Sequence, residues 1–273
     1  MTNTQESSHA FSARGFTLTE LAIVLVIVAL LVGGMFVSLS ASRDIASEKD
    51  TQKQLATIND ALFGFAAGQG RLPCPATATS GGRESFCTND LPAACGAELF
   101  VVQAHGRCTS YFNGFIPAAT LGLSPTDSQG FTIDVWGNRL RYAVSDKTAA
   151  VPTPISFPFT KPSGMKNAWA ADPSQLQSDL RVCSTATNIT NAGTANADCA
   201  AADQMTNAAI AVIFSTGRNG GATPASADEL ANWTTSNDRV FVSATPSPTF
   251  DDIVVWLSPN ILYNRMISAG RLP

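Results

Sequence analysis

The stretch ARGFTLTELAIVLVIVALLVGGMF, residues 13–36, decides the fold, because it opens a long apolar run directly after a polar N-terminus. Leu21 to Ser42 contains no charged residue, and Glu20 stands just before it. At about 1.5 Å per residue, this run forms a helix of about 33 Å, which matches a hydrocarbon core of about 30 Å. We therefore predict a transmembrane helix with a carboxylate near its N-terminal end.

The helix is predicted to continue past the apolar run as an amphipathic segment. Its apolar stripe has helical spacing and consists of Leu55, Ile58, Leu62 and Phe65. Residues that favour a helix end follow at Gly68, Gly70 and Pro73. The sequence thus predicts one helix with a transmembrane half, 16–42, and an amphipathic half, 43–70.

Six cysteines lie after the apolar run: Cys74, Cys87, Cys95, Cys108, Cys183 and Cys199. An even number on one side of a membrane indicates disulfides in an oxidising compartment. Spacing leaves the pairing open, although Cys183 and Cys199 are the first candidates because they bracket one polar loop. Two alternatives are free buried thiols and a zinc site formed by Cys87, Cys95, His105 and Cys108.

The remaining chain, 71–273, has short apolar runs separated by glycine, proline and polar residues. Four runs are rich in β-branched and aromatic residues and are predicted strands: Leu140 to Val144, Ala209 to Ser215, Val240 to Ser243 and Ile253 to Leu257. Residues 151–173 and 184–208 are predicted to be long surface loops, called excursions below. The expected fold is α+β, with the helical stripe packed on an antiparallel sheet.

Composition and motifs exclude several classes of function. The net charge of −4 offers no basic surface for nucleic acid. The two histidines, His9 and His105, lie in no catalytic pattern, and no phosphate-binding loop or nucleophile motif occurs. We expect a protein that is not an enzyme.

Two ordinary explanations of the N-terminus fit incompletely. A cleaved secretory signal would end near Ser38 to Ser40. However, the polar N-terminal region of this chain is long for a signal peptide, and its apolar run exceeds the usual ~7–15 residues. A plain transmembrane anchor explains the length of the run. It does not explain Glu20 or the polar residues that end in Arg14-Gly15.

Gly15-Phe16-Thr17-Leu18-Thr19-Glu20-Leu21 resembles the cleavage and methylation signature of type IV prepilins and type II secretion pseudopilins. The resemblance implies a leader peptide, 1–15, that a prepilin peptidase removes after Gly15. The same enzyme would methylate the new N-terminal residue, Phe16. Glu20 would then be the fifth residue of the mature chain.

The resemblance also implies a role for Glu20 in assembly. A carboxylate inside a bilayer costs on the order of 2.5–3.5 kcal/mol and needs a partner. The α-amine of Phe16 on a neighbouring subunit is such a partner, and the pair would set the axial register. The alternative is that the Glu20 side chain only extends to the membrane surface.

Gly33-Gly34 interrupts the apolar run. The pair either allows close packing between helices or marks a flexible point in the helix.

Three later stretches extend the resemblance. GRLPCPA, Gly70 to Ala76, is similar to the start of the soluble domain in a subgroup of secretion-type pilin-like proteins. DVWGNRLRYAV, Asp134 to Val144, is similar to a turn and strand of major pseudopilins. FSTGRNG, from Phe214, and DDIVVW, from Asp251, are similar to their C-terminal loop and closing strand.

In pseudopilins that C-terminal loop binds calcium, which implies a calcium site at Asn219, Asp251 and Asp252. Asn219 stands where an aspartate is usual, and a calcium ion prefers six to eight oxygen ligands. The alternative is a structural turn capped by its aspartates. No other cofactor is expected.

The expected protein is a pseudopilin, a structural subunit of a type II secretion pseudopilus. Its partners would be other pilin-like subunits, the prepilin peptidase/N-methyltransferase and an inner-membrane assembly platform. It would cross the inner membrane once, with its N-terminus cytoplasmic and 71–273 periplasmic. The alternatives are a minor pilin of a type IV pilus and a membrane-anchored binding module that does not polymerise.

Overall fold

The computed structural model describes residues 17–90, 95–194, 196–224, 226–233 and 238–273, without the side chains of 33–42. The leader 1–15, the cleavage site at Gly15–Phe16 and the side-chain environment of Gly33-Gly34 lie outside this description. The chain divides into two units, Met1–Ala46 and Ser47–Pro273.

Helix α1 runs from Leu18 to Gln69 and includes both predicted halves. It ends at Gly70, whose φ of 72° is left-handed and whose N–H donates to the Ala66 carbonyl at 2.8 Å. Within the described part of the chain, no helix has the length and hydropathy needed to cross a membrane. The transmembrane assignment of 16–42 thus stays a prediction.

The predicted stripe on the second half of α1 is mostly buried. Leu55, Ile58 and Leu62 are at most 2% exposed, as their helical spacing predicts. Phe65, the last predicted member, is only half-buried, and the guanidinium of Arg71 lies over its ring. Two residues that the stripe did not include, Phe63 and Ala66, complete the buried face.

The remaining helices and strands lie in the second unit. In chain order they are β1 (Phe86–Cys87), β2 (Glu98–Leu99), β3 (Gly114–Phe115), α2 (Ala118–Leu121), β4 (Arg141–Val144), α3 (Gly164–Ala171), β5 (Leu180–Cys183), β6 (Gln204–Ala209), β7 (Ala211–Ser215), α4 (Ala227–Trp233), β8 (Val240–Val242), β9 (Ile253–Leu257) and α5 (Pro259–Ser268). An antiparallel sheet has the order β3-β4-β7-β9, and β1 pairs with β2. A third sheet has the order β6-β5-β8, in which β5 and β8 are parallel.

The four-stranded sheet separates two apolar layers. Alternate residues of β4 and β7, such as Tyr142 and Ile213, pack in one core with the buried stripe of α1. Their neighbours, such as Val212 and Phe214, face Val182 and other residues of the third sheet. Both faces are covered, so β7 is buried at every position. The predicted α+β fold, with a helix against an antiparallel sheet, is confirmed for the second unit.

Some predicted boundaries are wrong. The single strand predicted at 209–215 is two strands, because the chain leaves the third sheet after Ala209 and enters the four-stranded sheet at Ala211. The predicted excursion 151–173 contains α3, whose Met165 and Ala168 are fully buried. The excursion 184–208 contains most of β6, which no periodic signal in the sequence indicated.

The segment after α1 is anchored by contacts with the rest of the domain. Arg71 forms two 2.8 Å hydrogen bonds with Glu84, and both side chains are at least 92% buried. Cys74 forms a disulfide with Cys108, and the hydroxyl of Tyr142 donates to the Pro73 carbonyl. Residues of the GRLPCPA stretch therefore fix the end of α1 to the globular domain.

Candidate functional site

Glu20 closes the N-terminal end of α1. The N–H of Thr17 and its hydroxyl group donate to Oε2 of Glu20 at 3.2 and 3.1 Å. In return, the N–H of Glu20 donates to the Thr17 hydroxyl oxygen at 3.2 Å. This reciprocal arrangement is a capping box, and a carboxylate in the first turn also interacts favourably with the helix dipole. The T-x-x-E spacing that marks this capping box is visible in the sequence.

A second candidate site is a cluster of three carboxylates in the globular domain. Glu229 lies in the first turn of α4, and Asp251 and Asp252 directly precede β9. One oxygen from each carboxylate lies within 4.8 Å of the other two. Asp251 and Asp252 are predicted from the sequence, but Glu229 is not, because α4 meets the start of β9 only in the folded chain.

The loop after β7 approaches the carboxylates from one side. The side-chain amide of Asn219 donates to Oε1 of Glu229 at 2.9 Å, and the N–H of Arg218 donates to Oδ2 of Asp251 at 2.9 Å. Gly217 has a left-handed φ of 64°, and a Cβ there would overlap Asp251. The structure thus brings the predicted residues Asn219, Asp251 and Asp252 to one place and adds Glu229.

The carboxylates are crowded and withdrawn from water. The pKa of Asp252 is raised to about 7, mainly by burial and to a smaller extent by the charges of Glu229 and Asp251, while a hydrogen bond from Asn232 opposes the increase. Burial is also the main cause of the raised pKa of Asp251. Like charges at this spacing favour either protonation or a bound cation.

Two oxygens of the cluster have no hydrogen-bond partner. Oε2 of Glu229 and Oδ1 of Asp251 are buried, and neither accepts a hydrogen bond from the described residues. Glu229 is only 2% exposed. Unpaired buried oxygens are costly, and hard oxygen donors are the ligands that calcium takes. The residues present therefore fit a divalent cation.

The turn at Asp134 supports the same loop. Asp134 accepts hydrogen bonds from the N–H groups of Trp136 and Asn138 and from the hydroxyl of Ser215. The side-chain amide of Asn138 donates to the Gly217 carbonyl. The two stretches that resemble pseudopilin motifs, DVWGN and FSTGRNG, are thus in direct contact beside the carboxylate cluster.

All six cysteines are in disulfides: Cys74–Cys108, Cys87–Cys95 and Cys183–Cys199. The last pair closes the loop that the sequence singled out. The zinc alternative is wrong, because Cys87, Cys95 and Cys108 have no free thiolate. His105 instead accepts a hydrogen bond at Nδ1 from the N–H of Arg107.

Residues 11–36 match the family model of the prokaryotic N-terminal methylation motif. The chain therefore carries the prepilin-type signature of type IV pilin-like proteins. The match includes Gly15, Phe16 and Glu20. No curated protein and no solved structure matches the chain.

Proposed function

We propose that the chain is a pilin-like structural subunit that is cut after Gly15, methylated at Phe16 and assembled into a filament. The single observation that carries this proposal is the methylation motif at residues 11–36. It implies a prepilin peptidase/N-methyltransferase as the processing enzyme. The other partners are further pilin-like subunits and an inner-membrane assembly platform. The role is structural, not enzymatic.

The proposed subunit enters the inner membrane through 16–42, with its N-terminus in the cytoplasm and 71–273 in the periplasm. The three disulfides of the globular domain support an oxidising compartment for that part of the chain. Filament assembly then withdraws the apolar residues at the start of α1 from lipid. Leu18, Leu30 and Leu31, for example, are at least 67% exposed in the single chain.

Glu20 is proposed to pair with the methylated α-amine of Phe16 on a neighbouring subunit. Its hydrogen bonds within the described chain all use Oε2, so Oε1 can accept a bond from this amine. The capping box holds the carboxylate at the end of the helix, beside the residue that becomes the mature terminus. A buried charge pair of this kind specifies register more than it adds stability.

A type II secretion pseudopilus is the proposed filament. The contact between the DVWGN turn and the loop after β7 supports this choice, because both stretches are similar to major pseudopilins. A minor pilin of a type IV pilus, with a role in initiation, adhesion or DNA uptake, is the alternative. A membrane-anchored binding module that does not polymerise is a second alternative.

A calcium ion is proposed to bind Glu229, Asp251 and Asp252, with the amide oxygen of Asn219 as a further ligand. This requires the side-chain amide of Asn219 to flip by about 180°, so that its oxygen takes the position of its nitrogen. The ion would neutralise the crowded carboxylates, and the two oxygens without a hydrogen-bond partner would coordinate it. It would thereby hold α4, β9 and the loop after β7 together.

Mass spectrometry of the mature N-terminus tests the processing step. The chain purified from membranes of a host with the peptidase should begin at Phe16 and carry one methyl group. The same chain from a host without the peptidase should begin at Met1. A start at Met1 or Ala41 in the first host would contradict the prepilin assignment.

Deletion of the gene distinguishes a type II secretion pseudopilus from a type IV pilus. Loss of exoprotein secretion with surface pili intact is the result expected for a pseudopilus subunit. Loss of pili with secretion intact would favour the minor pilin. If both persist, site-specific crosslinking between copies of α1 decides whether the chain polymerises at all.

A further inference from the structure

A cleft of about 530 Å³ lies in the globular domain away from the carboxylate cluster. Its walls come from the chain around Cys108–Phe112, the segments after β4 and before α3, and the residue before β8. Pockets of this size, with aromatic walls and a few polar groups that converge, are typical of small-ligand sites.

Three aromatic rings form one side of the cleft. Tyr111 and Phe157 are stacked with their centroids 5.4 Å apart, and Phe112 lies 6.1 Å from Tyr111. The hydroxyl group of Tyr111 accepts a hydrogen bond from the N–H of Cys108 and donates to Gly106, so it is held by the protein. All three rings are only half-buried, which leaves apolar surface for a ligand.

Phe157 adopts a strained backbone conformation. Its φ of 55° is left-handed, which a non-glycine residue seldom adopts. Such strain persists where the surrounding structure imposes it, and it accumulates at binding sites. The carbonyl of Phe157 accepts hydrogen bonds from the N–H groups of Thr160 and Lys161, and this turn holds the ring against Tyr111.

The charged groups of the cleft balance one another. Arg107 and Arg239 carry two positive charges, and Asp90 and Asp146 carry two negative charges. Arg239 pairs with Asp146 at 2.8 Å and, outside the lining, with Asp179 at 3.2 Å. Arg239 also lies over the ring of Phe112. With equal numbers of positive and negative side chains in its lining, the cleft has no strong preference for an anion or a cation. It does offer a carboxylate acceptor beside a guanidinium donor.

Hydroxyl groups also line the cleft, from Thr109, Ser110, Thr148 and Ser156. Each hydroxyl both donates and accepts, as the hydroxyls of a sugar do. The C–H face of a pyranose ring would cover an aromatic ring, and its edge would reach the ion pair. None of the lining residues belongs to a strand, so no backbone ladder could hold an extended peptide.

We propose that this cleft binds a neutral saccharide, with the Tyr111–Phe157 stack under the sugar ring and the Asp146–Arg239 pair at its hydroxyls. The site adds a binding activity to the subunit. It does not depend on whether the chain polymerises or on which filament it joins.

Saturation-transfer NMR on the full chain tests the proposal. The protein is kept in a phosphocholine detergent, because detergents with sugar headgroups would compete. The probes are diacetylchitobiose, lactose and maltose, together with a neutral peptide that has a central phenylalanine. We expect at least one disaccharide to show transfer and the peptide to show none. No transfer from any disaccharide, or transfer from the peptide alone, would overturn the proposal.

Variants locate the binding. Asp146→Asn should weaken the binding of that disaccharide about tenfold, because one charged hydrogen-bond partner is lost. Phe157→Gly should abolish it while the fold persists, because glycine relieves the left-handed strain. The matched control is Asp127→Asn, since Asp127 pairs with Arg139 at the same 2.8 Å and has similar exposure outside the cleft. Unchanged binding in both cleft variants would refute the site.

Discussion

Thr17 and Glu20 cap the first turn of α1 by exchanging hydrogen bonds between each backbone N–H and the other residue's side chain. The carboxylate proposed for assembly is therefore also the residue that closes the helix. A substitution at Glu20 changes two properties at once, unless the new side chain preserves one of them.

Two substitutions of Glu20, by glutamine and by valine, distinguish its role in capping the helix from the role of its charge. Glu20→Gln keeps the capping box, because glutamine serves at the same position, but removes the charge. Glu20→Val removes both. We expect both variants to enter the membrane and both to lose crosslinking between copies of α1.

Thr17→Ala is the matched control, because it breaks the cap and leaves the charge. It should destabilise the helix start by about 0.5–2 kcal/mol and still crosslink. Normal crosslinking in Glu20→Gln would contradict the proposed charge pair.

Calcium should stabilise the globular domain through the carboxylate cluster. At a hundredfold excess over its dissociation constant, one bound ion adds about 2.7 kcal/mol to the free energy of unfolding. Glu229→Gln should remove this gain and leave the metal-free protein about as stable as before, because it relieves like-charge repulsion. The comparison is the Tm of the full chain with calcium and with a chelator.

Asp228→Asn is the control for Glu229→Gln. Asp228 precedes Glu229 in α4, but its carboxylate accepts from Thr185 and Ala186 and lies outside the cluster. It should keep the calcium response. A response that survives Glu229→Gln would contradict the proposed site.

Without calcium, stability should fall as the pH rises. The pKa of Asp252 is about 7 in the folded protein and about 3.9 in an unfolded chain, so the folded state binds more protons between these values. The free energy of unfolding then decreases from pH 4 to pH 7, on the order of 1–3 kcal/mol. Asp252→Asn should flatten this slope. Calcium should oppose the loss, because it binds the deprotonated carboxylates.

Gly217 should tolerate no side chain, because of its conformation and its contact with Asp251. Gly137 is the matched control, since its φ of 89° is also left-handed but a Cβ there would meet nothing within 4 Å. Gly137→Ala should cost about 1–2 kcal/mol for conformation alone. Gly217→Ala should cost more and weaken calcium binding. Equal losses in denaturant unfolding would argue against a tight contact at Asp251.

Breaking the buried ion pair between Arg71 and Glu84 should destabilise the domain strongly. Glu84→Gln leaves the Arg71 charge buried without a carboxylate, and we expect a loss of about 3–5 kcal/mol. Asp198→Asn is the control, because the Arg181–Asp198 pair is partly exposed and should contribute at most about 1 kcal/mol. Chemical denaturation followed by circular dichroism measures both. A similar loss in the two variants would contradict this assignment.

Local signals in the sequence were sufficient for the helix and for much of the sheet. The stripe at Leu55, Ile58 and Leu62 follows from helical spacing alone, and the β-branched run at 253–257 is a strand as predicted. The short strands β1 to β3 could not be predicted. Two residues carry no period, and such strands form only because a partner strand supplies their hydrogen bonds.

The sequence by itself determined the methylation motif, the start of α1 and two of the clustered carboxylates, because these are properties of neighbouring residues along the chain. Only the tertiary structure decided that Glu229 joins Asp251 and Asp252, and that Tyr111, Phe157 and Arg239 line one cleft. Glu229 lies more than 20 positions before Asp251 in the sequence, and Tyr111, Phe157 and Arg239 are further apart still. Contacts of that kind depend on how the buried faces of helices and sheets pack, which no local pattern specifies.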